Sequence, residues 1–482
     1  MIDLRPVGYI IGLLVAVLGL TMLVPMAVDM VRGDPNWQHF LEAAIITTLS
    51  GGLLSLASQN RLGAMITLQQ SFVLTSGVWL ALPAFGALPF IIGAPGVSFT
   101  DAYFEAMSGM TTTGTTVFPK LEDLPAGTNL WRGILQWLGG LGIVIVAMIF
   151  LPVMRVGGMQ FFRSEGFDTL GKILPRAMDI SNAMIKLYVW LTVACAVAYV
   201  LLGMTVFDAV MHALTTLSTG GFSNHDASFG VYSGAPEYAS SFFMLLASMP
   251  FIRYIQLAQG HVMPMWRDVQ LRAYLRWTGY AIAVIVGYRI LRHEADFWPT
   301  LREVTFNVVS TFSGTGYASE DVTQWGHLAF MVLIMAGLIG GCTSSTGCSV
   351  KVFRYLILIE AIKTQIRRLY GAHRVERVRY AGQAVGEDVT GSVIAFFSFF
   401  ILTFGLLIVG LSLTGLETKT AMTSAWTAIA NIGPAWGPEI TANGSVVNFP
   451  ESAKWLMIFG MFVGRLELLS VYVLFLPRFW RS

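Results

Sequence analysis

The stretch Phe312-Ser-Gly-Thr-Gly-Tyr-Ala318 decides the fold, because it is one of four glycine-centred stretches that divide an apolar chain into similar units. The other three are Thr112-Thr-Gly-Thr-Thr116, Ser218-Thr-Gly-Gly-Phe222 and Asn431-Ile-Gly-Pro-Ala435. Aligned on Gly114, Gly220, Gly316 and Gly433, three of the four read Thr-Gly. A dinucleotide-binding loop would need G-x-G-x-x-G opening a helix after a strand, and Ser319 occupies the last position of that pattern. Four copies at matching places indicate an internal repeat.

The composition predicts an integral membrane protein with many spans. Of the 482 residues, 55% are hydrophobic and 12% are charged, and the mean hydropathy is +0.65. Seven apolar segments are long enough to cross a bilayer: 7–31, 40–59, 64–92, 183–206, 274–291, 389–415 and 453–476. Three others, near 130–153, 236–259 and 325–341, are less clear candidates for membrane spans. We expect the first segment to be a retained helix, because no small-residue cleavage site follows it.

The connections between successive apolar segments alternate between the two sides of the membrane, and the two sets of connections differ in charge. Basic residues concentrate in one set, above all in 351–380, and the positive-inside rule places these connections and both chain termini in the cytoplasm. The opposite set is acidic, which favours cations over anions at the outer mouth of a path. Contact with anionic lipid headgroups is one explanation of the basic patch, and we expect no nucleic-acid partner. Cys195, Cys342 and Cys348 lack metal-ligand spacing, and we assign them to packing.

Each repeat contains a short segment that is predicted to be a helix entering the membrane without crossing it. These segments are 99–112, 207–218, 299–313 and 417–430, and they open near Asp101, Asp208, Glu303 and Glu417. A dozen helical residues reach ~18 Å, well short of the ~30 Å hydrocarbon core. Irregular backbone at that depth persists only where it lines a cavity or is buried in protein. Backbone carbonyls at the four glycines could therefore replace the water around a desolvated K⁺.

The motifs resemble the Trk/Ktr/HKT superfamily of potassium uptake proteins, and most closely its bacterial Trk pore-forming subunits. The matching stretches are Phe104-Glu-Ala-Met-Ser-Gly-Met-Thr-Thr-Thr-Gly114, Leu217-Ser-Thr-Gly-Gly-Phe-Ser223, Ser313-Gly-Thr-Gly-Tyr-Ala318, Gly340-Gly-Cys-Thr-Ser-Ser-Thr-Gly347 with Lys351, and Gly464-Arg-Leu-Glu467. The resemblance implies an all-α membrane protein with a two-helix extension and four pseudo-symmetric helix–pore loop–helix repeats around one pore. It also implies a homodimer with one pore per subunit.

The resemblance sets the domain boundaries and the filter residues. Residues 1–62 are the extension, 63–157 the first pore repeat, 158–262 the second, 263–370 the third with its gating loop at 340–350, and 371–482 a cytoplasmic hairpin with the fourth repeat. The predicted K⁺ filter consists of Thr112, Thr113, Gly114, Ser218, Thr219, Gly220, Gly314, Thr315, Gly316, Asn431, Ile432 and Gly433. In the family, serine at the first filter glycine accompanies Na⁺ transport, so Gly114 favours K⁺. The fourth repeat departs most from Thr-Gly.

A gate is predicted below the filter. The second helix of the third repeat is interrupted by residues rich in Gly, Ser and Thr, and the resemblance makes them a loop that blocks the pore. The predicted gate residues are Gly340, Gly341, Cys342, Thr343, Ser344, Ser345, Thr346, Gly347, Lys351 and Arg465. The alternatives are a simple kink for the loop, a salt bridge between helices for Arg465, and interfacial snorkelling for Lys351. Cys348 stands where relatives often have glycine, and Glu467 is not expected to share a helix face with Arg465.

The resemblance also bears on the protein's partners and on whether transport is coupled to another ion. The resemblance adds a cytosolic ring of regulatory subunits that would bind any nucleotide, since this chain has no nucleotide loop of its own. K⁺ is expected as the transported ion, with no covalently bound cofactor, and the resemblance implies the bacterial inner membrane as the location. A carrier coupled to H⁺ or Na⁺, a symporter, is the alternative within transport, but no filter stretch holds the titratable side chain that coupling would use. An intramembrane enzyme is disfavoured, because the chain has neither H-E-x-x-H nor Gly-x-Gly-Asp.

Overall fold

The computed structural model describes residues 2–59, 66–149, 154, 157–159, 173–293, 296–371 and 376–481. The described chain is almost entirely helical, as the sequence predicts. Its two short strands, β1 (Arg379–Tyr380) and β2 (Gln383–Ala384), pair antiparallel. They form the hairpin expected at the start of the last unit.

The N-terminal extension is two closely packed spans. The first contains α1 (Arg5–Thr21) and α2 (Leu23–Arg32), and the second is α3 (Trp37–Ala57). Glycines permit the approach, because a Cβ on Gly12 would lie 2.5 Å from the backbone nitrogen of Ser55. The predicted boundary between the extension and the first repeat, at residues 62 and 63, lies outside the described residues.

The rest of the chain follows one arrangement four times. Each unit begins with a long helix: α4 (Leu68–Gly86, extended by α5, Leu88–Ile92), α8 (Ile173–Leu201), α13 (Val269–His293) and α17 (Glu387–Leu413). A short helix follows: α6 (Phe99–Met110), α9 (Val206–Leu217), α14 (Phe297–Ser313) and α18 (Thr418–Ala430). The chain leaves through α7 (Ala126–Ile149), α10 (Ala235–Ala247) with α11 (Phe251–Ala258), α15 (His327–Ile339), and α19 (Glu451–Arg465) with α20 (Leu469–Tyr472). The connecting helices are α12 (Met263–Trp266), α16 (Val352–Tyr370) and α21 (Pro477–Arg481).

The starts of the short helices follow the sequence except in the third unit. Ser98 and Thr205 cap α6 and α9 by accepting the N–H groups of Asp101 and Asp208, which lie in the first turns. Glu303 was expected near the start of its helix, but α14 begins at Phe297 and has no acid in its first turn. The side chain of Glu303 instead pairs with Arg289 of α13 at 2.9 Å, so its role is to bind a neighbouring helix.

Two of the seven predicted spans differ from expectation. Six described helices are long and apolar enough to cross a membrane: 5–32, 37–57, 68–92, 126–146, 181–201 and 387–413. Segment 274–291 lies in α13, which is long but carries several arginines. Segment 453–476 is not one straight span, because the chain bends by 104° between α19 and α20. The weaker segment at 236–259 is likewise bent by 90° between α10 and α11.

Candidate functional site

The four short helices each end in a left-handed turn that redirects the backbone. The residues with positive φ at these ends are Thr112 (53°), Thr219 (52°), Gly314 (86°) and Asn431 (52°). Two positions later come Gly114, Gly221, Gly316 and Gly433, of which the first three have φ of 91°, 74° and 81°. Non-glycine residues rarely adopt positive φ, and they do so where the surrounding structure imposes it, often at functional sites.

In the second unit, the structural counterpart of the central glycine lies one residue later than the alignment of the four repeats predicts. Thr113 donates its N–H to the carbonyl of Ser108, five residues back, and Gly220 donates to Thr215 in the same way. Gly220 therefore corresponds to Thr113, and Gly221 is the counterpart of Gly114. Aligning Gly220 with the other central glycines is wrong, because two consecutive glycines made both registers compatible with the sequence. Ser218, a predicted filter residue, is the C-cap of α9.

Gly114, Gly221, Gly316 and Gly433, which we call the glycine ring, surround one axis. A Cβ on Gly221 would overlap the carbonyl oxygen of Thr315 in the third unit. On Gly316 it would lie 2.5 Å from the backbone nitrogen of Gly433, and on Gly433 it would lie 3.3 Å from the carbonyl of Gly114. At Gly114, Gly221 and Gly316 the neighbouring backbones approach so closely that only glycine fits, and at Gly433 the space for a side chain is tight.

An outer cavity of 690 Å³ opens onto the glycine ring, and all four of its glycines line it. Its charged lining residues are Asp226, Glu320, Asp321, Arg132 and Lys419. The predicted acidic vestibule is thus acidic on balance but includes two cations. Burial, followed by repulsion from Glu303, raises the pKa of Glu320 above its ordinary value.

The polar side chains of the filter stretches bind one another. The Thr113 hydroxyl lies 2.8 Å from that of Thr111, and the Asn431 amide donates to Thr113 at 3.0 Å. The Thr315 hydroxyl lies 2.7 Å from that of Ser313. Ile432 packs into an apolar cluster with Trp426. The hydroxyls of Thr113 and Thr315 therefore bind neighbouring side chains and hold the stretches in place.

The predicted gate loop lies directly beneath these stretches. It occupies the interval between the end of α15 at Ile339 and the start of α16 at Val352. The Sγ atom of Cys348 is 3.4 Å from the Thr112 hydroxyl, and a Cβ on Gly314 would lie 3.2 Å from the Cβ of Cys348. Positive φ at Gly340, Ser344, Ser349 and Lys351 makes the loop irregular throughout. The loop is more than a kink in a continuous helix.

The loop is attached to the bent helix pair of the second unit. Cys342 and Thr346 donate their N–H groups to the carbonyls of Ser248 and Ala247 at the end of α10. Phe251, at the start of α11, donates to the carbonyl of Ser344 at 2.9 Å. The bend between α10 and α11 therefore leaves backbone groups free that the loop satisfies. Movement of the loop requires these hydrogen bonds to break.

Arg465 contacts the loop from the fourth unit. Its Nη1 atom lies 2.7 Å from the Sγ atom of Cys348, and its Nη2 atom lies 3.4 Å from the carbonyl oxygen of Gly139. The side chain is buried. No carboxylate in the described part of the chain pairs with it, so Arg465 makes no interhelical salt bridge there. It places a positive charge beside the loop.

Lys351 belongs to a buried charge cluster that the sequence reasoning did not identify. Its ammonium lies 3.2 Å from Glu467, and Arg354 contacts the other oxygen of the same carboxylate. Arg354 also donates to the carbonyls of Gly157 and Val350, each at 2.8 Å. The Lys351 side chain is 6% exposed, which excludes snorkelling. Charged residues in apolar segments were the available signal, but their pairing depends on the bend that follows α19.

Glu467 reaches this cluster because α19 ends two residues before it. Arg465 is the last residue of the helix, and Glu467 and Leu468 have φ of 61° and 45°. The turn sends Arg465 toward the gate loop and Glu467 toward Lys351. The expectation that the two side chains face different directions is therefore correct.

A second buried ion pair lies behind the predicted filter stretches, and the sequence reasoning missed it as well. Glu105 of α6 accepts from the backbone N–H of Val117 at 2.9 Å and from Arg132 of α7 at 2.7 Å. Arg132 also donates to the carbonyl of Ser223 at 2.8 Å. The pair thus connects the stretches of the first and second units. Among the described residues, no cluster of three or more His, Cys, Asp or Glu side chains could hold a metal ion.

Comparisons with known proteins agree on one family. The chain matches the TrkH family model, described as cation transport protein, over residues 36–278 and 299–482. It is 40% identical over 480 residues to the Trk system potassium uptake protein TrkI of Halomonas elongata, covering 99% of this chain and 97% of the relative. It is 32% identical to the Trk system potassium uptake protein TrkH of Escherichia coli, covering 99% of each chain. The crystal structure of the potassium transporter TrkH from Vibrio parahaemolyticus superposes with a TM-score of 0.92 at 30% identity, covering 100% of both chains.

Proposed function

This chain belongs to the TrkH family of cation transport proteins, and from that membership we propose that it takes up K⁺ through a pore whose selectivity filter is the glycine ring. It is a multi-pass membrane transporter and not an enzyme. The observation that carries the filter assignment is the convergence of four equivalent glycines, one from each repeat, on one axis below the outer cavity.

The chemistry of the ring suits K⁺. Short helices direct their C-terminal ends, with partial negative charge, toward the place where an ion loses water. Backbone carbonyls replace the water oxygens without a fixed charge that would trap the ion. Gly114 occupies the position where serine accompanies Na⁺ transport in the superfamily, which supports K⁺ as the substrate.

The loop at 340–350 is proposed as the gate. It lies in contact with Thr112 at the inner end of the filter, and Arg465 adds a positive charge that opposes cation passage. Opening requires the loop to leave its hydrogen bonds to α10 and α11. A cytosolic nucleotide-binding ring acting on the basic face at 351–380 is the proposed trigger. We further propose a homodimer in the bacterial inner membrane, with both termini in the cytoplasm.

A Gly316→Asp substitution tests the filter assignment. A side chain at this position would approach the backbone of Gly433, and its carboxylate would hold a cation in the path. We expect the wild type, and not the variant, to restore K⁺-limited growth of a bacterium that lacks its own K⁺ uptake systems. Gly203→Asp is the matched control, because Gly203 also has positive φ (98°) but has open space around it. Equal rescue by Gly316→Asp and wild type would exclude the ring as the filter.

K⁺ uptake measured in the same cells distinguishes a channel-like pore from a symporter. Uptake through the proposed pore follows the K⁺ gradient and the membrane voltage. It therefore continues when the H⁺ and Na⁺ gradients are abolished at constant voltage. Uptake that stops under these conditions identifies a coupled carrier.

A further inference from the structure

Gln136 of α7 holds the backbone on both sides of Gly221. Its Nε2 atom donates to the carbonyl oxygen of Gly220 at 2.6 Å, and its Oε1 atom accepts the N–H of Phe222 at 3.0 Å. The side chain is fully buried. One amide from the first repeat therefore fixes the filter stretch of the second repeat through both of its polar atoms.

This contact makes one level of the filter asymmetric. Gly220 corresponds in the other repeats to Thr113, Thr315 and Ile432, one residue before each ring glycine. Within the described ranges, the carbonyls of these three residues accept no side-chain hydrogen bond, whereas that of Gly220 does. This level of the proposed filter thus has three carbonyls without a side-chain donor and a fourth that is held by one.

Arg132 lies one helical turn before Gln136, on the same face of α7, and strengthens the attachment. It donates to the carbonyl of Ser223, next to the Phe222 that Gln136 binds, and pairs with the buried Glu105. The two side chains hold residues 220–223 along their length. The position of the Gly220 carbonyl is therefore determined by a rigid helix instead of by the flexible glycine pair itself.

We propose that Gln136 is a specificity-determining positioning residue, which sets the direction of the Gly220 carbonyl and thereby the preference for K⁺ over Na⁺. The inference rests on the proposed function of the glycine ring. Selectivity depends on the number and placement of the oxygens offered to an ion. A carbonyl released by the loss of its donor could approach the axis and accommodate a smaller ion. Gln136 acts through Gly220 and does not touch the ion.

A Gln136→Glu substitution tests this role, because it removes the donor to Gly220 and keeps the size of the side chain. K⁺ and Na⁺ uptake would be measured separately in the cells described above, with uptake by empty-vector cells subtracted. We expect the ratio of the two initial rates to fall about two- to tenfold, the factor set by one net hydrogen bond. A defect in folding or membrane insertion lowers both rates together and leaves the ratio unchanged. Gln136→Met, which removes both hydrogen bonds, provides a second variant.

Gln70→Glu is the matched control. The Gln70 amide binds backbone in the same bidentate way, donating to Asp3 at 2.7 Å and accepting from Thr67 at 2.8 Å, but it lies at the start of α4. We expect this variant to keep the wild-type ratio. A wild-type ratio in both Gln136 variants, with uptake still abolished by Gly316→Asp, would overturn the role of Gln136 and leave the filter standing. Undiminished uptake by Gly316→Asp would reject the filter itself.

Discussion

A Gly221→Ala substitution is expected to abolish K⁺ uptake, although it adds a single methyl group. The new Cβ would overlap the carbonyl oxygen of Thr315, which belongs to a neighbouring filter stretch and is backbone that cannot rotate away. The positive φ of 74° adds strain for any side chain. Either Thr315 or Gly221 must move, and both line the proposed ion path. The measurement is K⁺ uptake per amount of protein in the membrane.

The control for this variant distinguishes the effect of backbone strain at positive φ from the effect of a side chain at the glycine ring. Gly415 has an even larger positive φ of 94°, but nothing lies near it. Gly415→Ala should therefore keep most of the wild-type uptake, since its cost is limited to backbone strain. Normal uptake by Gly221→Ala would contradict the assignment of Gly221 to the ring and would favour the register centred on Gly220.

A Glu467→Gln substitution is expected to lower the stability of the protein strongly, and far more than the loss of a carboxylate from an exposed ion pair. It would leave Lys351 and Arg354 facing each other in a buried site without their carboxylate. Removing one partner of a buried ion pair typically costs about 3–5 kcal/mol. Thermal unfolding of the purified protein measures the loss. Because Lys351 ends the proposed gate loop, we also expect a larger K⁺ leak in cells that lack the proposed regulatory ring.

Glu360→Gln is the control on the same helix as Arg354. Glu360 pairs with Lys363 at 2.8 Å, but the Lys363 side chain is exposed and that of Glu360 is only partly buried, so the loss should be at most about 1 kcal/mol. The double variant Lys351→Met with Glu467→Gln should lose less stability than the two single changes added together, because fewer charges remain unpaired. Equal unfolding temperatures for Glu467→Gln and Glu360→Gln would contradict the role of the cluster.

Local signals in the sequence predicted much of the architecture. Glycine-rich stretches marked where all four short helices end, and polar small residues marked the interruption after Ile339. These features depend on backbone conformations that few residues allow, so they are visible in a single sequence. The bend within 453–476 is not visible in this way, because Arg465 and Glu467 do not by themselves show where the helix ends, and the two cations that Glu467 contacts lie in another part of the chain.

The candidate site was only partly predictable for the same reason. The central glycines of three repeats were identified, but the register of the second was ambiguous between Gly220 and Gly221. The register is fixed by Gln136, which lies 84 residues away from Gly220 in the sequence. Arg132 and Glu105 were missed because a buried ion pair between helices leaves no periodic pattern along the chain.

The position of a bound ion tests the glycine ring directly. Crystals of the protein grown with Tl⁺ or Rb⁺ in place of K⁺ would give anomalous density at bound ions, since both mimic K⁺. We expect density on the axis enclosed by Gly114, Gly221, Gly316 and Gly433, below the outer cavity and above Cys348. Well-ordered anomalous density elsewhere in the membrane region, with none at the ring, would contradict this expectation.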